Sequence, residues 1–172
     1  MNVILHKIHI HIFEDHRDTL SSRIVRTMTQ RALEEILPNS STEISVVITD
    51  DETIRELNKY HRGLDEVTDV LSFSFQYQGD YYGDMPKASQ WNQDIEFVLP
   101  PGEREGVGEI VISYPQAVRQ AKTHKRSENE ELAFLLAHGV LHLLGHDHEN
   151  PQERTVMERT QTRLLSKMLR KQ

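Results

Sequence analysis

The chain has 172 residues, no cysteine and a formal net charge of −7, with 37% hydrophobic and 27% charged residues. That length suits one domain around one core, and the composition is too apolar for a disordered chain. The missing cysteine excludes disulfides, thiolate nucleophiles and thiolate-held metals, and the negative charge argues against a protein that coats nucleic acid nonspecifically.

No run reaches the roughly 18 apolar residues of a membrane span, and the opening MNVILHKIHIHIF alternates rather than forming a signal-peptide core. The expected location is therefore the cytoplasm, with no membrane partner. Val3 to Phe13 has the period-2 pattern of a strand, with His6, His9 and His11 expected to face outward together. Leu20, Ile24, Met28, Leu33, Ile36 and Leu37 recur at helical spacing until Pro38 ends the run. Glu43 to Ile48 is a second strand by its β-branched residues. Thr49-Asp50-Asp51-Glu52 then matches a capping box at the start of a short helix through Leu57.

Val67 to Phe75 and Val107 to Ser113 are the third and fourth strands. Between them Gln76 to Gly106 lacks periodicity and carries glycines and prolines, as a long surface loop would. A helix is expected from after Pro115 to about His124. A second capping box, Ser127-Glu128-Asn129-Glu130, opens a strongly apolar helix, and Asn150-Pro151-Gln152-Glu153 opens the last one. Two basic groups, Lys122/Lys125/Arg126 and Arg163/Lys167/Arg170/Lys171, are read as solvated helix faces. With no internal repeat, the expectation for residues 1–172 is a single α+β domain: a small mixed sheet packed with helices, with a metal-binding helix at its centre.

The apolar helix carries the chemistry. His138 and His142 are four residues apart, which puts both imidazoles on one helix face about 6 Å apart along the axis. Gly145 offers a helix end, and the turn it permits would let His148, six residues beyond His142, fold back to the same ion. Three neutral histidines leave a fourth tetrahedral position for water, the arrangement of a catalytic zinc site, with one zinc per chain expected. Histidine ligation also admits nickel, copper or iron. Asp147 is a candidate to orient a ligand through its ring N–H, while His146 is expected to be exposed. The spacing H-x-x-x-H-x-x-G-x-x-H is that of metzincin peptidases, but Gly139 stands where they carry the glutamate that serves as general base. A metallopeptidase-like or other zinc hydrolase is thus the alternative.

The stretch HGVLHLLGHDH resembles the HGxLHLxGxDH signature of the YbeY family of endoribonucleases and rRNA maturation factors. Leu57-Asn58-x-Tyr60-x-Arg62-Gly63, Thr68 to Phe73 (TDVLSF) and Gly108 to Ile112 resemble further blocks of that family, in its order. Glu109 stands in place of the family's usual aspartate, His61 precedes Arg62 where the pattern is looser, and the 76–106 loop is longer than usual. The resemblance implies zinc-dependent, single-strand-specific cleavage of RNA in maturation of small-subunit ribosomal RNA and in ribosome quality control. It implies ribosomal RNA as partner and admits ribosomal proteins or an assembly GTPase.

By the same resemblance Arg62 is the candidate catalytic residue, a permanently charged fork for phosphate oxygens. Asp69, Glu109 and Asp147 are the candidate general bases, although Asp69 also suits a turn cap and Asp147 a ligand-orienting role. Ser72, Phe73 and Phe75 are candidates to line the cleft or to pack. A non-catalytic ribosome assembly factor with a structural metal is the third reading.

Overall fold

The computed structural model describes residues 6–75, 106–146 and 150–170. Four strands form one sheet in the order β1-β2-β4-β3: β1 (Lys7–Ile12), β2 (Glu43–Thr49), β3 (Val70–Ser74) and β4 (Gly108–Ser113). β1, β2 and β4 run parallel, and β3 is the antiparallel edge strand, pairing Leu71 with Val111 and Phe73 with Glu109. The helices are α1 (Glu14–Arg17), α2 (Ser22–Ile36), α3 (Asp51–Arg62), α4 (Tyr114–His124), α5 (Glu128–Leu143) and α6 (Pro151–Met168). This is the α+β architecture expected.

Strand alternation divides the side chains between two unequal faces. Ile8, Ile12, Ile44, Val46, Ile48, Ile110 and Ile112 turn to the face covered by α2, α5 and α6 and form the main core with them. Val47, Val111, Leu71 and Phe73 turn to the other face, where Ile54 and Leu57 of α3 meet them in a small second core. α5 is apolar nearly all round and is buried accordingly, packing on the sheet, α2, α4 and α6 together. Its capping box forms as expected: Ser127 Oγ accepts from Glu130 N–H, and the Glu130 carboxylate accepts from Ser127 N–H. Asn150 likewise caps α6, accepting from Glu153 N–H at 2.9 Å.

Three expectations need correction. Thr49 does not open a capping box, because its register opposite Ser113 keeps it in β2; Asp50 is the cap instead, accepting from Thr53 N–H at 2.8 Å. The helix that follows does not stop at Leu57 but runs to Arg62, where Gly63 ends it at φ 70°. His6 does not face outward with His9 and His11: it shares the parity of Ile8 and is 5% exposed. The described members of the two basic groups lie mostly on exposed helix faces, as expected, and three of them also meet carboxylates. Arg126 bonds to Glu131, and both Arg163 and Lys167 bond to Glu35.

Candidate functional site

The last turns of α5 bring His138 and His142 together. Their Nε2 atoms lie 3.0 Å apart and their rings 4.5 Å apart at a steep interplanar angle of 79°. Two neutral imidazoles at that distance share at most one proton between the facing nitrogens, so at least one lone pair points into the gap. The arrangement fits a shared cation: tetrahedral geometry with zinc–nitrogen bonds of about 2.0–2.1 Å sets two ligand nitrogens about 3.3 Å apart.

α5 ends immediately beyond His142. Gly145 takes φ 81°, its N–H bonds to the carbonyl of His142, and the N–H of His146 bonds to the carbonyl of Leu141. This pair of bonds is a Schellman turn, and it reverses the chain without leaving the last carbonyls unmet. His146 is half-buried there rather than exposed. Asp147 and His148 lie outside the described residues, as does nearly all of the 76–106 segment. Among the described residues no cluster of three or more metal-ligating side chains occurs.

Gly139 explains why this site differs from a peptidase. A Cβ there would lie 2.9 Å from Ile110 Cδ1, 3.0 Å from its Cγ2 and 3.1 Å from Ser72 Oγ. A methyl group there would press on the buried Ile110 side chain and on the Ser72 hydroxyl, which would have to give way. The residue beside His138 is thus a packing contact, and the close approach it allows sets the height of the histidines above β3.

The other candidates are distributed around β3. Arg62 is half-buried in the last turn of α3, and its neighbour His61 lies 4.8 Å from the Phe73 ring at a tilt of 56°. Ser72 and Ser74 point to the opposite face, towards α5; Ser74 Oγ donates to the Leu143 carbonyl at 3.1 Å. Edge strand β3 is therefore the common wall between the histidine helix and the end of α3.

Asp69 is committed elsewhere. Its Oδ1 accepts from Val70 N–H at 2.8 Å and its Oδ2 from Gln120 at 3.0 Å. It also precedes Ser72 by three residues, about 10 Å along the strand. Glu109 sits opposite Phe73 and so turns to the α3 face, with the sheet between it and α5.

Sequence reading missed a buried support behind the histidines. Glu131 is 0% exposed and is held by Arg126 Nη1 at 3.0 Å and by His124 Nδ1 at 3.1 Å. Arg126 lies over the Phe134 ring at 4.5 Å, and Phe134 lies nearly parallel to His138 with centroids 6.4 Å apart. The signal was available in part: residues 131, 134, 138 and 142 mark one stripe of a 3.6-residue helix.

Comparison with known proteins identifies the family. The family model described as Endoribonuclease YbeY matches residues 10–169. Proteins named Endoribonuclease YbeY from Thermoanaerobacter sp. (strain X514) and Dehalococcoides mccartyi (strain CBDB1) are 34% and 39% identical; the first alignment covers 98% of both chains, the second 88% of this chain and 87% of the relative. A third, from Symbiobacterium thermophilum, is 41% identical over 84% of this chain and 81% of its own. The solution structure of TM1509 from Thermotoga maritima shares the fold, with a TM-score of 0.57 at 24% identity, covering 94% of this chain and 88% of that one. The chain belongs to the YbeY family of endoribonucleases.

Proposed function

We propose that this protein hydrolyses phosphodiester bonds of single-stranded RNA with one zinc ion held by His138, His142 and His148, acting in the cytoplasm in maturation of small-subunit ribosomal RNA and in ribosome quality control. The observation that supports this most directly is the convergence of the His138 and His142 nitrogens to 3.0 Å, just before a glycine turn that reverses the chain. Zinc in such a site lowers the pKa of a bound water towards about 7 and polarises a phosphoryl oxygen.

The protein's own groups supply the rest. Arg62, delivered to β3 from the far face, grips the phosphate through its planar fork and orients it towards the histidines. Asp147 is assigned to accept the free ring N–H of a ligand histidine, which fixes the tautomer that leaves Nε2 unprotonated. Glu131, Arg126 and Phe134 brace the ring of His138. Asp69 and Glu109 are left without a role as base, the first because its oxygens are bonded, the second because it stands across the sheet. Gly139 weighs against peptide hydrolysis, since it stands where a metzincin peptidase carries its base. Ribosomal proteins or an assembly GTPase are proposed as partners that bring the enzyme to its RNA.

Metal content and cleavage of a ribosomal RNA fragment, measured on wild type, His142→Ala and Arg62→Ala with a peptide as control substrate, test the reading. Wild type is expected to carry about one zinc and to cut RNA only. His142→Ala should lose both properties, and Arg62→Ala should keep the metal while cleavage falls by about 100-fold or more. Equal residual cleavage in all three proteins would overturn it in favour of an assembly factor with a structural metal.

A further inference from the structure

We infer that Tyr60, His61, Phe73 and Phe75 form a platform on which unpaired bases of an RNA strand stack, on the α3 side of edge strand β3. The inference rests on the reading of the chain as an RNA-cleaving enzyme and adds where the bases lie while the phosphate is cut.

The aromatic residues are deployed unusually. Among the described Phe and Tyr residues only Tyr114 is buried in the core, whereas Tyr60 is 57% and Phe75 51% exposed. Exposed rings gathered in one place mark an interaction surface more often than rings scattered singly. These are gathered. Tyr60 and His61 meet edge to face with ring centroids 4.8 Å apart and planes at 84°, and His61 lies 4.8 Å from Phe73 at a tilt of 56°. Phe75 lies just past the end of β3, its N–H donating to the Val107 carbonyl at 3.2 Å. Phe73 is the floor of the group, anchored against the small core of Ile54, Leu71 and Val111. Burial holds the His61 pKa below its ordinary value, which favours a neutral, stackable imidazole.

Bases of a single strand present a π-face whatever their identity, whereas bases in a duplex are already stacked and paired. A ring platform therefore selects unpaired strands without reading sequence. Its position suits the chemistry: Arg62 follows His61 directly, and only the thickness of β3 separates the rings from the turn of α5 bearing His138. A strand draped over this sheet edge would set its bases on the rings and a phosphate on the histidine side.

The test is binding, not cleavage. An RNA oligomer with 2′-O-methyl sugars and one 2-aminopurine is titrated against wild type, Tyr60→Ala, Phe75→Ala and Tyr60→Trp, beside an abasic sugar-phosphate chain of equal length. Wild type should quench the 2-aminopurine and prefer the base-bearing strand. Each alanine variant should weaken that binding by about 5- to 100-fold while leaving abasic binding unchanged, and Tyr60→Trp should retain it. Both alanine sites are exposed, so thermal unfolding should match wild type. The platform is overturned if the alanine variants bind the base-bearing strand like wild type, if they weaken both ligands equally, or if they alter only self-association in sedimentation. A wild type that stacks bases without cutting RNA would sink the hydrolytic reading alone; one that cuts while the variants bind like it would sink the platform alone.

Discussion

On one face of the sheet Ile8, Val46, Ile48, Ile110 and Ile112 disappear beneath α2, α5 and α6; on the other, Ile54, Leu71 and Val111 make a small core whose rim of rings reaches solvent. The first face positions the histidine pair by burying the helix that carries it. The second presents Tyr60, His61 and Arg62 from the last turn of α3 and Phe73 from β3. Position of the histidine pair is thus coupled to the burial of α5, whereas Tyr60 and Phe75 stand in solvent.

Substituting Gly139→Glu should break that contrast most severely. It would restore the peptidase pattern in sequence, yet it drives a carboxylate into Ile110 and Ser72. We expect a loss of at least about 3 kcal/mol in urea unfolding and no peptidase activity. A stable variant with normal metal content would show that the helix–sheet contact is softer than described.

A smaller effect is expected from Glu131→Gln. The buried carboxylate is held by Arg126 and His124, and its neutralisation should cost about 1–2 kcal/mol, limited because both partners are partly solvated. Zinc affinity should also fall as Arg126 releases Phe134 from His138, which competition with a chelator would measure. Unchanged affinity would confine Glu131 to a structural role.

The weakest effect sharpens the contrast through pH. Burial lowers the pKa of His6 from 6.5, partly offset by Glu34, and burial also lowers that of His61. Above about pH 6.5 both rings are neutral in either state and the fold keeps its full stability. As pH falls below that, the unfolded chain takes up protons that the folded one resists, so stability declines until the depressed folded values are passed. His6 lies deeper than His61, so His6→Leu should flatten the acid limb of the unfolding curve more than His61→Leu does. The reverse order would mean that the α3 face is the drier one.

What the amino-acid sequence determined by itself is local. The caps at Ser127 and Asn150, the alternation of β1 and β2, and the His138/His142 spacing depend only on neighbours within a turn or two, and each was legible before any fold was known. The glycine turn after His142 was legible for the same reason. The tertiary structure alone decided the rest. Thr49 belongs to β2 because Ser113 lies beside it, His6 is buried because helices cover its face, and Glu109 is separated from the histidines because β4 alternates. Gly139 lies tight against Ile110 and Ser72 because α5 packs on the sheet there, and Glu131 finds Arg126 and His124 because α4 ends beside α5. Each of these turns on register or on which face is covered, and those are fixed by residues far away in the chain.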